Sequence, residues 1–272
     1  MIKTHSNTFS WNWTSQVLNQ IDAGWRTNRW CAEPLIHFYF GLAHNKNSII
    51  KNIKSAEDYY LVDVGYMGAQ TKRGMRDQSF ESGYYRICKG GIHNDLTNVS
   101  DDPSRFKKLL DKKYYYARLI DNYKEKPLNT DGNILLAPSS HTVSEYQYNC
   151  SQKQWIMQAA LDIKQHTNRE INLRLKPIDG SNTAKIPIAQ AFDNTYVLLT
   201  NMSMIAFDAI VRGIPVICDK KHVCSEIAET DYSKIEKIKP INKEDLYKWA
   251  CKVANQQFTL EEIYKGVPNE YM

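Results

Sequence analysis

The chain has 272 residues, of which 42% are hydrophobic, 11% aromatic and 24% charged; 35 Lys+Arg against 30 Asp+Glu give a formal net charge of +5. This composition excludes an intrinsically disordered chain. A mean hydropathy of −0.54, with no apolar run near ~18 residues, excludes a membrane-spanning helix. The mild basicity permits a polyanionic partner without requiring one.

The first ten residues are polar and carry no apolar core, so no secretory signal is expected. In the first half, PLIHFYFGL (Pro34 to Leu42) reads as a buried strand ending at Gly41 and Ser48 to Ser55 as a short helix. YYLVDV (Tyr59 to Val64) reads as a strand ending at Asp63 and Gly65, and YYRIC (Tyr84 to Cys88) as another. DNYKEKPLNTD (Asp121 to Asp131) is polar, contains Pro127 and separates two patterned regions. Two domains are therefore expected, residues 1–126 and 127–272, with the C-terminal helix packing back on the first.

The second half alternates more clearly. NILLA (Asn133 to Ala137) is a buried strand closed by Pro138. Ser151 caps a helix to about His166 with Trp155, Ala159 and Ile163 on one face. INLRLK (Ile171 to Lys176) alternates as a strand, and Pro187 opens a short helix through Phe192. YVLL (Tyr196 to Leu199) is a strand, Met204 to Arg212 a helix with Gly213 at its C-cap, and PVIC (Pro215 to Cys218) a further strand. Lys243 to Gln257 reads as a terminal helix. Strands alternating with helices across short connections predict a parallel sheet covered on both faces.

Ligands of open α/β sheets bind outside the carboxyl ends of the strands. Ser139, Ser140 and His141 follow the first of these strands; they suit phosphate or ribose oxygens, or plain turn and cap chemistry. Arg174 and Lys176 follow the second, as cations for a diphosphate or as solvated surface. Asn201, Met202 and Ser203 follow the third and open a helix, whose N–H groups and dipole favour an anion, although a simple N-cap has the same composition. Asp208 lies further along that helix. The six cysteines include no C-x-x-C and no zinc-spaced pairs, so reduced thiols and no structural metal are expected. H-E-x-x-H, G-x-S-x-G, Walker A and G-x-G-x-x-G are all absent.

TNMSMIAFDAIVRGIPVICD (Thr200 to Asp219) resembles the donor-binding half of GT-B glycosyltransferases, and INLRLKP resembles the basic strand-end motif of capsule-type members. HFYFGLAHNK, YYLVDVGYMG and YYRICKGGIHN resemble segments of phage-encoded glycosyltransferases that decorate hydroxymethylated DNA bases. The resemblance covers roughly Pro34 to Glu226. It implies an α/β, GT-B-like fold: two Rossmann-like domains with parallel sheets facing a cleft, the N-terminal one smaller or irregular. It also implies a nucleotide-sugar donor, by that resemblance a UDP-sugar, a hydroxymethylated pyrimidine in phage DNA as acceptor, and the cytoplasm of an infected bacterial host. No D-x-D is present, so metal-independent transfer is expected, with no cofactor and no membrane partner.

An inverting transfer needs a general base, for which Asp63 and His93 are the candidates; a strand-end cap and a turn residue are the plainer readings. Lys72, Arg73, Arg76, Arg86 and Lys89, interleaved with Tyr66 and other aromatics, suit a phosphate backbone with a base stacked out of the helix, as do Arg26 and Arg29 in WRTNRW. A solvated loop has the same composition. The rival readings are a capsule-type transferase with a glycan acceptor, a nucleotide-sugar epimerase of the same fold, and a non-catalytic nucleic-acid-binding module.

Overall fold

The computed structural model describes residues 2–5, 19, 36–40, 59–68, 83–176 and 187–271. Contacts divide the chain into two units, Met1–Asp121 with Lys248–Met272, and Asn122–Tyr247. The first division falls at the start of the polar Asp121–Asp131 stretch rather than after residue 126. The second returns the C-terminal segment to the first unit.

In the first unit, β1 (Ile2–His5), β2 (Ile36–Phe40), β3 (Tyr59–Val64), β4 (Tyr84–Lys89) and β9 (Gln257–Thr259) form one sheet in the order β1-β2-β3-β4-β9. Neighbours among β1, β2 and β3 are parallel, while β4 runs antiparallel to both β3 and β9. The expectation of a wholly parallel sheet is therefore corrected to a mixed one. The antiparallel ladder sets Asp63 opposite Arg86 and Arg86 opposite Gln257. Three paired residues on adjacent strands share one face of the sheet.

Two helices, α1 (Ser104–Asp111) and α2 (Tyr115–Asp121), follow, turning at Lys113 with φ 58°. Arg105 on α1 donates to the Ala254 and Gln257 carbonyls and pairs through Nη1 and Nη2 with Glu262, at 2.8 and 3.0 Å.

In the second unit, short runs rich in Leu, Ile and Val form β5 (Asn133–Leu136), β6 (Ile171–Leu173), β7 (Thr195–Leu199) and β8 (Val216–Ile217), all parallel, in the order β6-β5-β7-β8. Between them lie α3 (His141–Tyr148), α4 (Gln152–Lys164), α5 (Ile188–Phe192) and α6 (Ile205–Ile210). Ser151 caps α4 in a capping box with Gln154, which puts Ala159 and Ile163 into the core with Ile134, Leu136, Val197, Leu199 and Ile217. Each buried Leu, Ile or Val among them contributes roughly 1.5–3 kcal/mol of transfer free energy. A 3₁₀ turn (Tyr232–Lys237) seals that core with Ile235.

Three sequence expectations change. INLRLK is strand only over its first three residues, and Leu173 and Leu175 are each 50% exposed, because β6 is an edge strand and its alternation marks no buried face. The helix after Ser203 has six residues, Ile205–Ile210, and Gly213 with φ 81° turns the chain into β8. The last long helix, α7 (Lys243–Asn255), stops before Gln257, which instead begins β9 opposite Arg86; α8 (Leu260–Tyr264) follows, capped by Thr259. No helix among the described residues is long and apolar enough to cross a membrane.

Candidate functional site

From β5 the chain passes to β6 on one side and then crosses to β7 on the other. The carboxyl ends of β5 and β7 therefore flank a topological switch point, where open α/β sheets hold their ligands. Both ends are tied together there. Thr200 Oγ1 donates to the Ala137 carbonyl at 2.5 Å, the Ser139 N–H donates to Asn201 Oδ1 at 2.7 Å, and Gln152 Nε2 donates to the Ser139 carbonyl at 2.5 Å. Around this knot three buried polar atoms have no hydrogen-bond partner among the described residues: Ser139 Oγ, Asn201 Nδ2 and Ser144 Oγ of α3. Ser139 is 4% exposed and Asn201 1%. An unsatisfied buried group costs about 1–3 kcal/mol, and two of these three sit at the ligand end of the sheet.

The anion mouth expected at the helix after Ser203 takes a different form. Six residues make too short a helix to carry a useful dipole, and Met202 is buried. His222 fixes the loop instead. Its Nδ1 accepts the Cys224 N–H at 3.0 Å, so the proton sits on Nε2, which faces the Ser203 carbonyl at 3.2 Å. Ser203 Oγ is 3.4 Å from the Ile205 N–H. Asn201 thus acts across the β5–β7 crevice and not as the opening of a helix. Asp208 pairs with Arg212 at 3.1 Å. Ser140 is the N-cap residue of α3, and the exposed His141 lies 3.7 Å from Glu145. Arg174 is half-buried and Lys176 exposed, both just past the edge strand β6.

On the β7–β8 side opens a pocket of about 380 Å³. Thr200, Asn201 and Cys218 are its buried residues, and Tyr148, Trp155 and Tyr232 are half-buried lining aromatics. Burial and the Asp219 carboxylate push the Tyr148 phenol up, and burial pushes Tyr232 up to about 12, so both are hydroxyl donors near neutrality. Tyr148 donates to Asp219 Oδ2 at 2.7 Å, and the Lys221 N–H donates to Asp219 Oδ1 at 2.8 Å. Lys220 and Lys221 complete the lining and are exposed. Sequence reasoning missed this set. The signal was present, since Asp219, Lys220 and Lys221 directly follow the PVIC strand, and the carboxyl-end rule applies to that strand as to the others.

In the first unit, Asp63 accepts from Arg86 Nη2 at 2.9 Å; the carboxylate is 39% exposed and the guanidinium side chain 5%. That guanidinium lies 4.8 Å over the Tyr66 ring, which stacks on His93 at 5.9 Å. Tyr66 donates to Asn94 Oδ1 at 2.9 Å. Arg86 is thus buried against Asp63, with Tyr66 and then His93 buried behind it, whereas Lys89 is exposed. Gln257, opposite Arg86, accepts the Met67 N–H at 3.0 Å through Oε1 and leaves its Nε2 unpartnered. Arg26, Arg29, Lys72, Arg73 and Arg76 lie outside the described residues. Among the described residues no three His, Cys, Asp or Glu side chains gather as metal ligands.

No protein-family model matches the chain, and no curated protein sequence matches it. Among solved structures it is similar to KpsC of Thermosulfurimonas dismutans, described as a beta Kdo 2,7 transferase. The identity is 14% and the TM-score 0.44, over 98% of this chain and 99% of that one. A likeness of that size fixes neither fold nor activity.

Proposed function

We propose that the protein is a glycosyltransferase whose second unit takes a nucleotide sugar. The observation that carries this reading is the pair of unpartnered buried groups, Ser139 Oγ and Asn201 Nδ2, at the β5–β7 switch point. Phosphate and ribose oxygens accept from such groups, and a bound nucleotide removes their desolvation cost. Departure of the phosphate needs neutralisation, which fixed donors and nearby ammonium groups supply. The acceptor side falls to the first unit, with Asp63 as general base and His93 as the alternative.

Of the acceptors raised by the sequence, the burial of Tyr66 and Arg86 favours a glycan hydroxyl over a pyrimidine in DNA, because neither side chain is open to a phosphate backbone. The DNA reading then rests on Lys89 and on residues outside those described.

The test incubates the full chain with a panel of nucleotide sugars and two acceptor sets, oligosaccharides and hydroxymethylated duplex DNA, read by mass spectrometry. Sugar on an oligosaccharide supports the reading, and sugar on a DNA base redirects the acceptor. Conversion of the nucleotide sugar without any acceptor indicates an epimerase. Release of nucleotide from no donor overturns the proposal.

A further inference from the structure

We propose that Lys220 and Lys221 are the phosphate-binding pair of the second unit, and that the pocket beside them seats the nucleoside of a nucleoside phosphate against Trp155. This rests on reading that unit as the nucleotide-sugar side, and it locates the nucleotide on the β7–β8 flank of the switch point rather than at β6.

Four observations converge. Asn201, 1% exposed and with its Nδ2 unpartnered among the described residues, lines the pocket, so a buried donor there awaits an acceptor. Tyr148, Trp155 and Tyr232 line it as half-buried aromatics, and ring-on-base stacking tolerates any nucleobase. The one acid of the lining, Asp219, has each oxygen accepting a hydrogen bond, from the Tyr148 hydroxyl and the Lys221 N–H, so it anchors the turn that carries the lysines. Two ammonium groups against one committed carboxylate leave the mouth positive, and neither lysine is in an ion pair among the described residues.

Size bounds the ligand. At about 380 Å³ the pocket lies near the lower end of the ~300–1,000 Å³ span of small-molecule sites. That is room for a compact ligand of the nucleoside phosphate class. Arg174 and Lys176, the cations singled out by the sequence, line no part of it. They follow β6, which lies on the far side of β5.

The experiment is calorimetric titration of the full chain with UDP, CMP, GDP and inorganic pyrophosphate. It compares wild type with the Lys220→Ala/Lys221→Ala double variant, Lys176→Ala and Trp155→Leu, with thermal unfolding as the folding control. Both lysines of the pair are exposed, so the double variant is expected to fold. At least one nucleotide should bind wild type. Its Kd should rise tenfold or more in the double lysine variant and stay within twofold in Lys176→Ala. Trp155→Leu should weaken the nucleotide while sparing pyrophosphate; if that variant does not fold, the lysine arms decide.

An unchanged Kd in the double lysine variant, loss in Lys176→Ala alone, or no binding of any nucleotide overturns the inference. Turnover of a nucleotide sugar with unchanged affinity in the double lysine variant sinks this site and spares the transferase reading. Lysine-dependent nucleotide binding with no transfer from any donor does the reverse.

Discussion

Asn201 Oδ1 accepts the Ser139 N–H at 2.7 Å across the two strand ends that flank the switch point of the second sheet. One side chain thereby joins the β5 loop to the β7 loop and still holds a donor in reserve. Asn201→Ala strands the Ser139 amide and should lower unfolding free energy by about 1–3 kcal/mol. Urea unfolding measures that loss, and nucleotide affinity should fall in the same variant. Full stability with full affinity contradicts both roles.

Asp63 meets the buried Arg86 guanidinium at 2.9 Å while keeping 39% of its own side chain exposed. Each of its oxygens accepts one hydrogen bond, Oδ2 from Arg86 and Oδ1 from the Val64 N–H at 2.7 Å, and the exposed remainder of the carboxylate can take a proton from an acceptor hydroxyl. Asp63→Asn should cut kcat by about 100-fold or more, with nucleotide Kd within twofold of wild type. Steady-state turnover beside equilibrium binding separates the two. Wild-type kcat removes Asp63 as the base.

Glu262 couples stability to pH. Burial pushes its carboxyl up, but the Arg105 and Thr259 hydrogen bonds more than offset this and hold it below the ordinary range. A depressed folded value contributes stability that is present above the unfolded value, near ~4.3, and lost as pH falls through the folded one. Wild-type stability should therefore decline as pH drops below about 4. Glu262→Gln leaves the buried Arg105 without its counter-charge. It should cost about 3 kcal/mol at neutral pH and show a shallower acid decline, followed by denaturant unfolding across pH.

Gly213 has φ 81°, and an added Cβ would meet the Tyr123 hydroxyl at 3.2 Å. Gly213→Ala should destabilise by about 1–2 kcal/mol, the cost of a left-handed backbone for an L-residue. Replacement by Asn, which tolerates that region better, should recover part of it. Thermal unfolding of the two variants gives the order.

Continuous apolar runs made β5 and β7 readable, because strands buried on both faces need no alternation. Ser151 and Gln154 wrote the start of α4 into the local sequence. By contrast, α3 has almost no apolar stripe in HTVSEYQY and went unread. Alternation at Ile171, Leu173 and Leu175 suggested a strand through Lys176, whereas the edge strand β6 ends at Leu173. Of the candidate site, Ser139 and Asn201 were found by looking past strand ends, while Lys220 and Lys221 were missed because the shortest strand, β8, was not searched in the same way. Arg105 and Glu262 stand 157 positions apart, and nothing local in the sequence announces such a pair.

The second unit interrupts the first, whose sheet is completed by β9 only after residues 122–247 have been made. During synthesis the inserted unit is available to fold while its host still lacks an edge. Until β9 arrives, one side of β4 offers unpaired amides and carbonyls to any passing strand. A ribosome stalled before Gln257 would release a chain with a finished insert and an unfinished host, and aggregation of that species should begin at β4.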